Sequence, residues 1–317
     1  MLIHGILNLY ESDNIYFVED SYAAERELSR TIPLLQNIAR CEGLRAIIID
    51  GGCDCTGLAI FNEETDDTPA FWSVFTDAVC APVEGRNAEY CQLLQEIIGK
   101  SSTETVHASG EELRRAIREY YSTELVHREL CPDCREKKEP YDMVYVRSRV
   151  GRLKKFLGTL DLDTSVDMLE ICCGNGMATA ALHDLGFSPL CTDFDKCQVC
   201  QGLEHGVLVP ADTAVIDATR LSRFFTEKSF DMVAGFMMGT IYPYNAGLWK
   251  LMLHESVKVA KDNGTLLVTV NRKEEADIVA SALEEYGVAG ELIDNTDERG
   301  LYDQWAYLGK RTKNFLP

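Results

Sequence analysis

The 317-residue chain contains no run of eighteen apolar residues, so no membrane-spanning helix is expected. Its opening, Met1-Leu-Ile-His-Gly-Ile-Leu7, lacks a charged leader followed by a long apolar segment. No secretory signal is expected from it, and a cytoplasmic setting is the default. Basic residues are scarce: 31 Lys and Arg stand against 51 Asp and Glu, a formal net charge of −20. That excess repels a phosphate backbone, which argues against nucleic acid and leaves a small molecule or a protein as partner. Between Arg128 and Lys155 the chain reverses sign locally, a pattern that reads as a solvated helix face or a balance for the acidic surface, with contact with an acidic partner or RNA as the alternative. Cysteine is not scarce. Twelve occur, scattered rather than spaced as a secreted disulfide framework, so reduced thiols are expected. A hydrophobic content of 46% over this length allows two domains, each with its own core.

Residues 1–140 carry no motif that names a function. Apolar alternation in Leu2 to Leu9 and Ile15 to Val18, around Ser12-Asp-Asn14, predicts a hairpin, followed by a helical stretch from Ser21 that Pro33 interrupts. Arg45–Asp50 and Leu58–Phe61 read as strands, and Ser109 with Glu112 forms a capping box ahead of Leu113, Ala116, Ile117 and Tyr120 at helical spacing. An α+β domain is therefore expected. Two cysteine pairs, Cys53/Cys55 and Cys131/Cys134, sit in or beside turns and together offer the four thiolates of a closed tetrahedral site for zinc or an iron–sulfur cluster. They are far apart in sequence and only the second has the usual two-residue gap, so unliganded thiols stand as the alternative. The charged, proline-marked linker Glu136-Lys-Lys-Glu-Pro-Tyr141 marks the domain boundary.

The chemistry begins at Asp167-Met-Leu-Glu-Ile-Cys-Cys-Gly-Asn-Gly176. A short apolar strand ends in an acid, Glu170, and breaks into a turn where Gly174 and Gly176 let the backbone approach a ligand. A helix opens at Met177. About twenty residues on, a second strand ends in Asp193, the spacing at which an acid reaches a ribose hydroxyl pair. Asp217 closes a third strand, Phe230–Ala234 supplies a fourth, and Gly264–Val270 a fifth after an Asn263-Gly264 turn. Helical patterns such as Leu248 to Ala260 lie between them, so a mainly parallel α/β sheet is expected. Cys172, Cys173 and Cys191 lie at strand ends and Cys197 and Cys200 on the helix after the second strand, all as packing residues.

On these motifs residues 141–317 resemble a class I S-adenosylmethionine-dependent methyltransferase. The resemblance places Glu170, Gly174, Asn175 and Gly176 on the first motif, with Cys172 where the family usually has its first glycine. It implies that Asp193, followed by Phe194, holds the ribose, that Asp217 and Ala218 flank the adenine, and that Gly235 and Phe236 line the cofactor wall. It also implies a Rossmann-like sheet of seven strands, mostly parallel, with the last strand antiparallel in a closing hairpin of Gly290–Asp294 and Tyr302–Leu308. A helix over Tyr141 to Leu160 would precede the first strand, with Tyr145 and Arg147 near the methionine end. The competing readings are a nicotinamide-dinucleotide oxidoreductase and an inactive S-adenosylmethionine-binding sensor or scaffold. Against the first, Gly174-Asn-Gly176 is followed by Thr179 where the dinucleotide motif has its third glycine.

Methyl transfer needs alignment and exclusion of water more than acid–base groups. The segment after the fourth strand, Gly235-Phe-Met-Met-Gly-Thr-Ile-Tyr-Pro-Tyr244, lacks the Asn/Asp-Pro-Pro-Tyr pattern associated with methylation of amide or base amino nitrogens. Phe236, Met237, Met238, Tyr242 and Tyr244 offer an apolar acceptor wall, with a plain packing role for the methionines as the alternative. Tyr242 is the best candidate to take a proton, and His254 on the next helix is expected to face away.

Overall fold

The computed structural model describes residues 1–25, 27–52, 56–78, 88–130, 146–298 and 300–312. The chain divides into two compact units, Met1–Pro132 and Asp133–Pro317. The boundary expected at residues 140 and 141 lies outside the described residues.

The first unit comprises α1 (Leu2–Leu7), β1 (Asn14–Phe17), α2 (Tyr22–Glu25), α3 (Thr31–Ile38), β2 (Arg45–Asp50), β3 (Thr56–Asn62), β4 (Phe71–Thr76), α4 (Ala88–Ile98), β5 (Ser102–His107) and α5 (Gly110–Val126). Its five-stranded sheet runs β1-β4-β3-β2-β5, an antiparallel meander of β2, β3 and β4 joined in parallel by an outer strand on each side. Leu35, Leu94 and Ile97 of α3 and α4 pack with Leu58, Ile60 and Phe75 of the sheet. The expected capping box is present, Glu112 N–H donating to Ser109 Oγ at 3.2 Å and Ser109 N–H to the Glu112 carboxylate at 2.8 Å.

Two expectations fail here. The N-terminal hairpin is instead the helix α1 followed by a strand that pairs in parallel with β4. Ile3, His4 and Leu7 are buried while Gly5 is exposed, a pattern that breaks strict alternation and fits a helical period. Pro33 does not interrupt a helix. It occupies the first turn of α3, where its missing N–H is not needed, and the Glu19 carboxylate accepts from Arg30 and Thr31 N–H to start that helix.

The second unit comprises α6 (Arg147–Leu157), β6 (Met168–Ile171), α7 (Met177–Asp184), β7 (Leu190–Asp193), α8 (Lys196–Glu204), β8 (Thr213–Val215), β9 (Phe230–Phe236), α9 (Ala246–Val259), β10 (Ala260–Val270), α10 (Lys273–Glu285), β11 (Val288–Asp294) and β12 (Trp305–Arg311). Seven strands form one sheet in the order β11-β12-β10-β9-β6-β7-β8. All pairings are parallel except those of β12, which runs antiparallel to β10 and β11. From β6 the chain moves outward through β7 and β8 on one side, then returns to β9 and β10 on the other. That reversal places a topological switch point at the carboxyl ends of β6 and β9, the position of the ligand crevice in open parallel sheets. All four residues of β6 are buried, as a central parallel strand requires.

The Asn263-Gly264 signature makes a tight local reversal, Gly264 lying close against Lys261, ahead of the regular pairing that starts at Thr265. It lies inside β10, where the pairing with β9 shifts between Ala260 and Thr265, and Asn263 adopts φ 63. The helix expected from Tyr141 begins at Arg147, and its residues 141–145, with Tyr145, lie outside the described residues. Among the described residues no helix is long and apolar enough to cross a membrane.

Candidate functional site

Three left-handed residues alternate through the loop after β6: Cys172 at φ 52, Gly174 at φ 56 and Gly176 at φ 85. The two glycines serve different ends. A Cβ on Gly174 would meet only Gln198 Oε1, at 3.8 Å, so its side of the loop is open. A Cβ on Gly176 would sit 2.8 Å from Val207 Cγ1 and 3.0 Å from Leu208 Cδ2, so this glycine allows packing beneath α7. Asn175 between them is half-buried, and Gly176 begins α7 without a side-chain cap.

Asp193, at the end of β7, is buried and ties this loop in place. Its carboxylate accepts the Gly174 and Asp195 N–H groups, each at 2.8 Å. Burial nonetheless pushes its pKa above the ordinary value. Phe194, next in the chain, is 70% exposed, an unusual setting for a large apolar ring beside a crevice. Asp217 is exposed and holds the turn after β8 by accepting from Thr219 N–H at 2.9 Å and Oγ1 at 2.8 Å, while Ala218 is buried.

The acids converge. Cys172, pushed up to about 12 first by burial, is raised further by the charges of Asp193, Asp217 and Glu170. Glu170 itself is 1% exposed. One of its oxygens accepts from Thr179 Oγ1 at 2.7 Å and from Cys191 Sγ at 3.6 Å, whereas Oε1 has no partner among the described residues. Burial raises its pKa to about 7, against the opposing pull of Thr179 and Cys191 hydrogen bonds and the Arg149 charge. Cys173 and Cys191 are buried, as expected of packing thiols, and Cys172 Sγ lies 4.0 Å from Met252 Sδ. On α8, Cys200 is buried and Cys197 is exposed.

Across the crevice, Gly235 lies under Met238, whose sulfur occupies the space a Cβ would need. The Phe236 side chain belongs to the core with Val150, Phe156 and Met177, so this residue borders the crevice through its backbone. Met237 adopts φ 53, and its N–H donates to Thr269 O and Oγ1, both at 3.1 Å. Tyr242 and Tyr244 are exposed and stack on each other, rings 5.2 Å apart and 8° from parallel. His254 stacks on Tyr286 at 4.7 Å instead of joining them.

Sequence reasoning missed a buried knot beside these groups. Arg149, rather than the exposed Arg147, turns inward from α6: its Nε donates to Asp303 Oδ2 at 2.9 Å and Nη2 to Phe236 O at 3.5 Å, with the guanidinium over the Tyr302 ring. Asp303 Oδ1 also accepts from Thr269 Oγ1 at 2.6 Å. Nothing in local spacing distinguishes Arg149 from its neighbours; only its 154-residue separation from Asp303, closed by the fold, does.

Cys53, Cys55, Cys131 and Cys134 lie outside the described residues. Among the described residues no group of three or more His, Cys, Asp or Glu side chains is placed to hold a metal ion.

No family model and no curated protein matches the chain. Solved structures of S-adenosylmethionine-dependent methyltransferases resemble about half of it. The N-methyltransferase NodS from Bradyrhizobium japonicum is 16% identical over 53% of this chain and 96% of its own, with a TM-score of 0.40. A Methanosarcina mazei S-adenosylmethionine-dependent methyltransferase is 12% identical over 49% of this chain and 97% of its own, TM-score 0.38. A Pyrococcus horikoshii protein is 20% identical over 53% of this chain and 91% of its own, TM-score 0.40.

Proposed function

We propose that residues 141–317 form an S-adenosylmethionine-dependent methyltransferase domain acting by in-line transfer to a small-molecule or protein acceptor. The observation that carries this reading is the glycine loop after β6, left open at Gly174 and tied by the Gly174 N–H to the buried Asp193 carboxylate, beside a buried Glu170 oxygen that has no partner among the described residues. A crevice lined by acids suits a cationic adenosyl ligand. The anionic pyrophosphate of a dinucleotide fits it poorly. Thr179, standing where a dinucleotide motif has its third glycine, is fully buried and bonded to Glu170, so that position is already committed to packing.

The residues present fit the cofactor. Asp193 and Phe194 would hold the ribose edge, Asp217 and Ala218 the adenine, Cys172 to Gly176 the methionine side, and Glu170 the ammonium charge, with the Gly235–Phe236 backbone opposite. When bound, the sulfonium supplies an electrophilic methyl group. The chain's part is to orient the acceptor in line and exclude water. The exposed Tyr242–Tyr244 stack is a surface on which an acceptor can lie, and Tyr242 is the group proposed to take a proton where the acceptor must lose one.

Calorimetry against S-adenosylmethionine and NADH separates this reading from a dehydrogenase. Labelled S-adenosylmethionine incubated with fractionated extract then identifies the acceptor class, and binding without any S-adenosylhomocysteine formed would leave a sensor or scaffold. Tyr242→Phe is expected to slow turnover without weakening cofactor binding; unchanged turnover removes the tyrosine from the mechanism.

A further inference from the structure

We propose that the methyl acceptor is a protein of basic charge, which docks an apolar face along the outer surface of α9 beside the crevice. The inference rests on the methyl-donor reading and narrows its acceptor from two classes to one.

An apolar stripe begins at the crevice end of the sheet and leads away from it. Tyr242 and Tyr244, in the loop between β9 and α9, are 42% and 84% exposed, and Leu248 and Leu251 on α9 are 52% and 44% exposed. The two leucines are three residues apart and so share a side of the helix, with Tyr244 four residues before Leu248 at the helix entry. The inward side of α9 is already filled by Trp249, Met252 and Leu253, all buried. Single exposed apolar residues are ordinary; four in one stripe mark a contact surface. The loop that carries the rings is braced. Asn245 Oδ1 accepts the Tyr242 N–H at 2.7 Å, Asn245 Nδ2 donates to Thr240 O at 2.9 Å, and the buried Glu275 carboxylate accepts the Ile241 N–H at 3.2 Å. The rings also stack on each other. Aromatic side chains held in place before a partner arrives lose little freedom on contact, the property of an anchor at a protein interface.

Extent decides between a small molecule and a protein. β9 and β10 are parallel, so α9 must carry the chain back along the sheet, away from the crevice end. Leu251 lies seven residues beyond Tyr244, about 10 Å farther along that path. A small acceptor aligned with the sulfonium covers the tyrosines but leaves both leucines in water, whereas a protein covers all four. Charge decides among macromolecules. The net charge of −20 attracts a basic protein and opposes RNA, an anionic bilayer and a second copy of the chain. The transfer balances as a simple displacement: the acceptor's nucleophilic atom bonds the methyl carbon, the carbon–sulfur electron pair stays on sulfur in S-adenosylhomocysteine, and a proton on the acceptor leaves to Tyr242 or solvent.

The test is the full chain with methyl-labelled S-adenosylmethionine and cell extract, separated into protein, RNA, lipid and small-molecule fractions, beside the double variant Leu248→Gln/Leu251→Gln, which keeps charge and helix propensity. The wild type is expected to label protein that a cation exchanger retains at neutral pH. The double variant should lower that label about tenfold or more, with S-adenosylmethionine affinity unchanged in calorimetry. Leu248→Met/Leu251→Met, apolar like the original, should keep the label. Label in the RNA, lipid or small-molecule fraction, label only in acidic proteins, or protein label that survives the double variant overturns the proposal, as does donor binding with no label in any fraction. A wild type that sediments as a dimer beside a monomeric double variant assigns the stripe to self-association and overturns it too. If the double variant does not fold, Leu251→Gln alone, at the far end of the stripe, is read by the same criterion. Failure of the wild type to bind S-adenosylmethionine defeats the methyl-donor reading itself; every other negative result defeats only the protein acceptor.

Discussion

Gly174 and Gly176 share a left-handed backbone but lack side chains for different reasons, and substitution should separate them. Gly174→Ala meets open space, so its cost is backbone strain of about 1–2 kcal/mol, with loss of cofactor affinity larger than that because the methyl enters the crevice. Gly176→Ala adds collision with Val207 and Leu208 to the same strain, roughly a further 1–3 kcal/mol. Urea unfolding and calorimetry of both variants check the contrast; equal stability losses would show that the loop yields beneath Gly176. A glycine pair after an apolar strand is as often an ordinary turn, and these glycines were legible in sequence because Asp193 ends a second strand about twenty residues on. The left-handed Cys172 was legible only as an occupant of a glycine position, since cysteine does not itself announce φ 52. The partners of Glu170 were not legible at all: Thr179 and Cys191, 9 and 21 residues away, meet it only because α7 and β7 fold against β6.

Elements rather than residues explain the knot of Arg149, Asp303 and Thr269, which joins α6, β10 and the loop before β12 at the crevice end of the sheet. Both charged side chains are largely buried, 12% and 4% exposed. Asp303→Ala would strand the guanidinium and the Thr269 hydroxyl, so a loss of about 3–5 kcal/mol is expected in urea unfolding. A loss under 1 kcal/mol would show that Arg149 finds water instead. In the first unit, Ser109→Ala should cost about 1 kcal/mol, since only the Ser109 hydroxyl accepts the Glu112 N–H at the start of α5. That capping box was readable because it is a contact between near neighbours in the chain. The N-terminal hairpin was misread because Leu2 to Leu7 has apolar residues at both periods, and burial of His4 beside Ile3 and Leu7, with Gly5 exposed, selects the helix.

At the scale of the molecule, alternation of strand and helix after residue 160 fixed the class of the second unit, because parallel neighbours require crossovers. The first unit resisted the same reading. Its outer strands β1 and β5 pair in parallel with β4 and β2, across chain separations that no local pattern encodes. The two scales meet in the response to pH. Glu170 has its folded pKa raised to about 7 from 4.5, so the folded state retains a proton that the unfolded state releases, and its contribution to stability falls as pH rises through that window. The net charge of −20 acts in the same direction, since self-repulsion grows as carboxyls ionise. Opposing them, Glu111, Asp231 and Glu255 have folded pKa values below the ordinary carboxylate value, so their contribution is lost only at lower pH. The ligand-free protein should therefore be more stable at pH 6 than at pH 8, with Glu170 contributing about 1 kcal/mol of the difference. Unfolding of the wild type and Glu170→Gln at the two pH values isolates that share. An equal pH dependence in both would assign the whole effect to surface charge and leave Glu170 ionised in the fold.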